Sequence, residues 1–432
     1  MCGSDETTHH GTEGEAAARD VRHDPMTGTH PRVSVVIPAF NQARFLPAAI
    51  ESAIAQTYRD REIIVVDDGS TDDTPEVARR YGDAVRYVRQ ANKGLAGARN
   101  TGIDRARGEF VALLDSDDVW LPGFLEHMLG VADAQPQAAV YFSAWRYIDS
   151  GGNLLPEPPH VHVVPPADTY RTLLKANFIV PSAVVMRRPA VVSAGLFDEQ
   201  FRRLEDWELW IRLLRQGQTL AGSTACHLHY RVHGESLSAD STAMQQAALA
   251  LARKHFGEDD GQVDTWPPDK RWAYAGVYRY HALLCARRRG DWDRGGRFLR
   301  KAIEADPTLA RDRALFYELA WGSRPAGHRR LSESVDVEAC ARTVFGMVDA
   351  AFGGAGGAVR RSCDGYAHFA VGSIAYGCGQ MALARHHLAN GARHWSPLLL
   401  DARFGPLLAR ACLGGRVMGA LKRVAPLSGR SR

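Results

Sequence analysis

From Val33 onward, short β-branched runs alternate with longer stretches whose apolar residues recur at helical spacing. VSVVIP (33–38) predicts a strand, FLPAAIESAIAQ (45–56) a helix and EIIVVDD (62–68) a second strand. The alternation continues with a helix at 74–81, a strand at 85–89, a helix at 95–105, a strand at 110–114 and a helix at 122–134. Strands separated by helices of crossover length pair in parallel, and uninterrupted apolar strands are covered on both faces. After Ala139 the rhythm loosens: strand-like AVYFSAWRYID, a Gly151-Gly152 turn, a Pro-rich loop to Pro166 over one edge, and a strand SAVVMRR (182–188). Apolar residues at helical spacing from Trp207 to Gly217 complete this α/β, Rossmann-like and mostly parallel unit by about residue 238.

The flanks read differently. Residues 1–31, rich in Thr, His, Gly, Asp and Glu, hold too little apolar surface to offset ordering entropy and predict a disordered tail. His9, His10, His23 and His30 in that tail read as solvated. From 239 to 432 strand signals nearly vanish, and Ala, Leu and Arg dominate, which predicts an all-α domain. Residues 272–307 set two helices around Gly290-Asp291, with Asp306-Pro307 stopping the second, and 369–397 is a weaker echo. These look like tetratricopeptide-type hairpins, not a regular array. The last forty residues hold eight Arg or Lys against one acid, Asp401, with apolar residues between them. An ordinary terminal helix with a solvated face is the first reading, and a basic amphipathic contact with a membrane surface the second.

Composition narrows the function classes. A net charge of +4, with 45% apolar and 24% charged residues, lacks the asymmetry of a nucleic-acid binder. No apolar run spans a bilayer and the first thirty residues lack a signal-peptide core, so the expected location is cytoplasmic. The seven cysteines are scattered and contain no C-x-x-C pair, which argues against a disulfide framework or structural zinc.

Candidate chemistry sits at the ends of predicted elements, where open parallel sheets bind ligands. Asp67 and Asp68 end the second strand in VVDDGSTD, with Gly69 permitting a sharp exit; such carboxylates suit a base N–H or ribose hydroxyl, or cap the following helix. LLDSDDVW places Asp115, Asp117 and Asp118 directly after an apolar strand, and three carboxylates so close need a cation or donors to neutralise them. Hard oxygen ligands with no cysteine nearby fit Mg²⁺ or Mn²⁺. Glu205-Asp206 opens a helix, a position the helix dipole alone favours. NKGLAGARNTGIDRARG, with Lys93, Arg99 and three glycines near a helix start, can offer N–H groups and positive charge to a diphosphate; it matches no Walker-type loop.

In order, VSVVIPAFN, VVDDGSTD, NKGLAGARNTG, LLDSDDVW, LEDWELWIRL and YRVHGESLS resemble family 2 glycosyltransferases of the GT-A fold over roughly residues 32–238. The resemblance implies nucleotide contacts from Pro38, Ala39, Asn41, Asp67 and Asp68, with Lys93, Arg99 and Asn100 near the nucleotide or diphosphate. The family's D-x-D motif falls on Asp115-Ser116-Asp117, where a divalent ion bridges the sugar-nucleotide diphosphate. The catalytic base falls on Asp206, with Glu205 beside it, and His233 occupies a place where some GT-A enzymes offer a histidine to the metal or phosphates.

The implied reaction is an inverting single displacement, with Mn²⁺ or Mg²⁺ and the basic residues neutralising the departing nucleoside diphosphate. UDP-sugar is the expected donor. A glycan, lipid-linked or small-molecule hydroxyl is the expected acceptor, in surface-glycan or glycolipid assembly, and the region after Ala139 is expected to hold acceptor-specific structure. The helical half is free to bind an acceptor, a partner protein or another copy of itself. Two rivals are a sugar nucleotidyltransferase, disfavoured because PAFNQARFL replaces the Gly-rich basic loop such enzymes carry, and a non-catalytic nucleotide-binding scaffold, disfavoured by the intact acidic clusters.

Overall fold

The computed structural model describes residues 30–156, 158–234, 240–287, 290–322, 335–354 and 356–412. The expected N-terminal tail, the end of the YRVHGESLS motif and the basic residues beyond Arg410 lie outside these. The described residues from Pro31 onward belong to one compact unit.

Eight strands form one sheet: β1 (Val33–Ala39), β2 (Arg61–Asp67), β3 (Arg86–Arg89), β4 (Phe110–Leu113), β5 (Val119–Trp120), β6 (Ala138–Ile148), β7 (Val184–Arg187) and β8 (Thr219–Arg231), in the order β3-β2-β1-β4-β7-β6-β8-β5. The first half is parallel, with β1 between β2 and β4 and β3 outside β2. β7 runs antiparallel to both β4 and β6, whereas β6 and β8 are parallel. The sheet is thus a mixed, mostly parallel GT-A-type sheet. Every residue of β1 and β4 is buried, as their unbroken apolar sequences require, but edge strand β3 exposes Arg86 and Arg89.

Helices α1 (Leu46–Ile54), α2 (Thr74–Arg79), α3 (Gly94–Arg105), α4 (Phe124–Ala134), α5 (Pro166–Lys175), α6 (Arg188–Ser193) and α7 (Glu205–Arg215) flank the sheet. α5 and the long strand β8 are additions to the expected elements. The prolines before α5 read as loop, but Pro166 occupies the first turn of the helix, where its missing N–H costs nothing. Two cores result. Val36, Val66, Val111 and Phe142 bury one face of the sheet with Trp207 and Trp210 of α7, while Ile37, Val65, Ala112 and Tyr141 bury the other with α1 and α4.

The helical half comprises α8 (Ser241–Phe256), α9 (Pro268–Arg287), α10 (Trp292–Ala305), α11 (Arg313–Trp321), α12 (Val337–Phe352), α13 (Ala358–Gly377) and α14 (Met381–His394). α9 packs with α10 and α13 with α14, as the sequence predicts, and they share one apolar core that includes Tyr274, Leu299, Phe316 and Phe369. This half is fastened to α5 and to α7, the helix that Glu205 and Asp206 begin. On α5, Lys175 pairs with Asp306, Tyr170 donates to Asp269 at 3.2 Å, and the Arg171 guanidinium lies 5.0 Å from the Trp272 ring centre. On α7, the buried Glu208 accepts from Arg212 and from Lys254 of α8. Burial pushes the Glu208 carboxyl up, but hydrogen bonds from His255, Arg212 and Lys254 outweigh it and bring the pKa to about 2.

Candidate active site

The site lies beyond the carboxyl ends of β1, β2 and β4, and α3 ties its parts together. β1 and β2 end in register, with Pro38 opposite Val66 and Ala39 opposite Asp67. The chain then turns sharply on both strands: Asn41 adopts φ 53°, and Gly69 φ 81° at a point where a Cβ would lie 3.0 Å from the Asn92 nitrogen. The Asn41 side chain accepts from the Thr71 N–H at 2.8 Å, and its own N–H donates to the Ser70 hydroxyl, which stitches the two turns together. Phe40 is left 45% exposed between them.

Asp67 is fully buried; it accepts from the Ser70 N–H at 2.8 Å and from the Tyr87 hydroxyl at 2.6 Å. Asp68 accepts from the Gln90 amide and from the N–H groups of Lys93 and Gly94, both at 2.8 Å, and so caps α3. Both aspartates therefore have structural partners, and the helix Asp68 caps is not the one directly following it. A carboxylate has about four acceptor sites, so neither is saturated.

Further along α3, Arg99 is 1% exposed and donates to Asp115 at 2.6 Å and to Glu205 at 2.5 Å. Burial lowers its pKa, but the charges of Asp115 and Glu205 outweigh that and raise it. Arg99 thus joins the second and third acidic clusters, its Glu205 partner lying 106 residues from it in sequence. The sequence places it near the nucleotide or diphosphate; in the structure its guanidinium is closed between two carboxylates. Asn100, expected beside it, exchanges hydrogen bonds with the backbone of Phe197 and donates to Glu199, so it holds the 197–199 loop. Lys93 exposes its side chain at the helix start.

After β4, Asp115 and the buried Ser116 lead into Asp117 and Asp118. Asp117 lies 2.9 Å from His233 Nε2, and the imidazole packs on Phe45 with ring centres 4.8 Å apart. Asp118 accepts from the Arg231 N–H at 2.8 Å, while its other oxygen is buried without a hydrogen-bond partner. Burial and the charges of Asp117 and Asp115 push the Asp118 carboxyl well above the usual range. Asp115 is also raised, by burial first, against the pull of Arg99.

At the third cluster, Leu204 takes a left-handed φ of 60°, and Glu205 and Asp206 begin α7. Asp206 accepts from the Asn177 amide at 2.8 Å. Burial, then the charge of Glu205, pushes its carboxyl up to about 7, against Arg99, the Trp207 N–H and Asn177. Asn177 and Arg231 are additions to the site. Arg231 donates to the backbone oxygens of Asp117 at 2.6 Å and Asp149 at 3.0 Å, and so fixes the D-x-D turn. It stands two residues before His233, where the motif could have revealed it. Asn177, in an unpatterned stretch, carries no sequence signal.

Among the described residues, no group of three or more His, Cys, Asp or Glu side chains could by itself hold an ion. Mg²⁺ and Mn²⁺ ask for less, taking one or two carboxylates and completing the shell with substrate phosphate and water. The orphaned Asp118 oxygen and the mutual repulsion of three aspartates fit such a cation.

Residues 34–193 match the family described as Glycosyl transferase family 2. An Escherichia coli protein, UDP-Glc:alpha-D-GlcNAc-diphosphoundecaprenol beta-1,3-glucosyltransferase WfaP, is 33% identical over 212 residues, which are 48% of this chain and 80% of that protein. The putative teichuronic acid biosynthesis glycosyltransferase TuaG of Bacillus subtilis is 30% identical over 219 residues, 50% of this chain and 84% of that one. The chain spans 29% to 59% of the length of the Rickettsia glycosyltransferases it also matches. Among solved structures, S. aureus TarS 1-349 in complex with UDP-GlcNAc is 15% identical with a TM-score of 0.49, covering 78% of this chain and 91% of that one. The family match and these relatives define a glycosyltransferase class. The chain belongs to glycosyltransferase family 2.

Proposed function

We propose that the protein is an inverting glycosyltransferase that moves a sugar from a nucleoside-diphosphate sugar, UDP-sugar first, to a hydroxyl acceptor. The observation that carries the reading is the Arg99 bridge, which holds the D-x-D aspartate Asp115 and the Glu205-Asp206 pair in one frame. Catalysis is assigned to residues 32–238, and the helical half from 239 serves to hold α5 and α7.

In this reading the nucleoside lies against Pro38, Ala39, Asn41, Asp67 and Asp68, and the diphosphate lies near Asp115, Ser116 and Lys93. Mn²⁺ or Mg²⁺, held by Asp117, Asp115 and His233, would supply positive charge to the diphosphate. Asp206 takes the proton of the acceptor hydroxyl as that oxygen bonds to the anomeric carbon, while the bond to the phosphate oxygen breaks and its electron pair leaves with the diphosphate. A carboxylate with a pKa of about 7 is matched to that task near neutral pH. Asn177 orients it, and burial, then the charge of Glu205, keeps its pKa up.

The acceptor class follows the relatives. WfaP is named for a diphosphoundecaprenol-linked sugar, and TuaG for teichuronic acid synthesis. We read the acceptor here as a glycan or lipid-linked glycan assembled at the cytoplasmic face of a membrane. No helix among the described residues is long and apolar enough to cross one.

The test is a thermal-shift panel of UDP, GDP, dTDP and CMP with and without Mn²⁺, on the wild type and Asp117→Ala. One nucleoside diphosphate should stabilise the wild type only with metal, because a ligand that binds the folded state raises its stability. Folded protein that responds to none of them would refute the reading.

A further inference from the structure

The segment between β6 and α5 folds back along β6 and is not used by the donor chemistry above. The backbones of His160 and Trp145 exchange hydrogen bonds, and the Leu155 N–H donates to Tyr147. This lays two histidines on the aromatic residues of β6. The His160 ring lies over Trp145 at 5.3 Å with planes 12° apart, His162 lies 6.2 Å from the same indole, and Tyr147 meets His160 edge-on at 4.6 Å.

The row continues at both ends into the catalytic residues. Tyr147 contacts Tyr230 at 5.8 Å, and Tyr230 directly precedes Arg231, whose N–H donates to Asp118 at 2.8 Å. At the other end His162 contacts Phe178 at 5.7 Å. Phe178 directly follows Asn177, which holds Asp206. A wall of six rings, Trp145 and Phe178 among them buried, therefore runs from beside the D-x-D turn to the residue that follows Asn177.

A second observation comes from the helical half. Burial lowers the pKa of the His162 imidazole, and the charge of Glu318 on α11 opposes that shift. Arg279 of α9 donates to Glu318 at 3.1 Å, and both remain partly exposed. On the wall itself, the Trp145 indole N–H is buried without a partner, although such groups normally find one. Ring faces beside a carboxylate and guanidinium are complementary to a pyranose, which offers an apolar C–H face and a rim of hydroxyls.

We propose that this wall, together with Glu318 and Arg279, is the binding site for the sugar ring of the acceptor. The inference rests on the transferase reading, and it gives the helical half a direct part in acceptor selection. The ring lies against His162 and Tyr147 with its nucleophilic hydroxyl toward Asp206, and its remote hydroxyls meet Glu318 and Arg279.

The experiment is saturation-transfer NMR on the full chain with UDP and Mn²⁺ present, using methyl β-D-glucopyranoside, methyl α-D-N-acetylglucosaminide and methyl β-D-galactopyranoside as probes. Wild type, His162→Ala and Glu318→Gln are compared, and the UDP-dependent thermal shift is recorded for each. At least one glycoside should show saturated ring protons in the wild type, with affinity about five- to tenfold weaker in each variant, the loss expected for one ring contact or hydrogen bond. UDP stabilisation should be equal in all three. Equal glycoside affinity in all three proteins would overturn the proposal, as would no glycoside binding to a wild type that binds UDP. Failure of UDP itself to bind would instead overturn the transferase reading.

Discussion

Replacing Arg99 by methionine keeps a long side chain but removes the charge that joins two acidic clusters. The guanidinium is 1% exposed and the Glu205 side chain 6%, so solvent does not screen their 2.5 Å pair. Removing one partner of a buried ion pair costs about 3–5 kcal/mol, because the other charge is left without compensation. Here two carboxylates lose their partner at once, and Asp206 and Asp117 add further negative charge nearby. The upper half of that range, about 4–5 kcal/mol, is therefore expected at neutral pH. Urea unfolding of wild type and Arg99→Met, followed by far-UV circular dichroism, measures it directly. Adding Glu205→Gln should recover part of the loss, on the order of 1–2 kcal/mol, since it removes one stranded charge. A loss below about 1 kcal/mol, the value of an exposed pair, would refute the claim that Arg99 frames the site.

Asp206→Asn should lower the rate of sugar transfer by about 10²- to 10⁴-fold in a nucleotide-release assay, with the fold intact by circular dichroism. Because the folded-state pKa of Asp206, about 7, exceeds its ordinary value, its contribution to stability is present at low pH and lost as pH rises through 7. Activity needs the carboxylate, so it should rise over the same range, giving an acid limb near pH 7 in the rate profile. In the helical half, burial lowers the pKa of His281 to about 4, His368 to about 3 and His387 to about 4. That half should lose stability as pH falls below the ordinary value of about 6.5 toward 4, and His368→Leu should flatten the dependence in a series of pH-resolved melts. Gly102→Ala places a Cβ 2.2 Å from a Val36 methyl, where α3 crosses β1, and should cost about 1–3 kcal/mol in the same unfolding assay.

The parallel half of the fold is legible because its physics is local. VSVVIP and EIIVVDD are buried on both faces and read as unbroken apolar strands, and residues 272–307 show their hairpin through a helical period broken at Gly290-Asp291. β7 and β8 are less legible because their direction and partners are set by crossovers that no local pattern records, and α5 was hidden by the prolines at its start. At the site, sequence points to the clusters but not to their connections. Nothing in NKGLAGARNTG says that Arg99 turns inward to meet a glutamate more than a hundred residues away. Asp67 and Asp68 show the complementary limit, since their position marks the strand end but not that Tyr87 and the first turn of α3 occupy several of their acceptor sites.

The most direct test of the single displacement at Asp206 is the anomeric configuration of the sugar released when the protein slowly hydrolyses an α-linked UDP-sugar, followed by proton NMR before mutarotation. Water then stands in for the acceptor hydroxyl. An initial β-anomer from the wild type, and no release above background from Asp206→Asn, is the predicted result. An initial α-anomer, or undiminished hydrolysis by Asp206→Asn, would contradict the account.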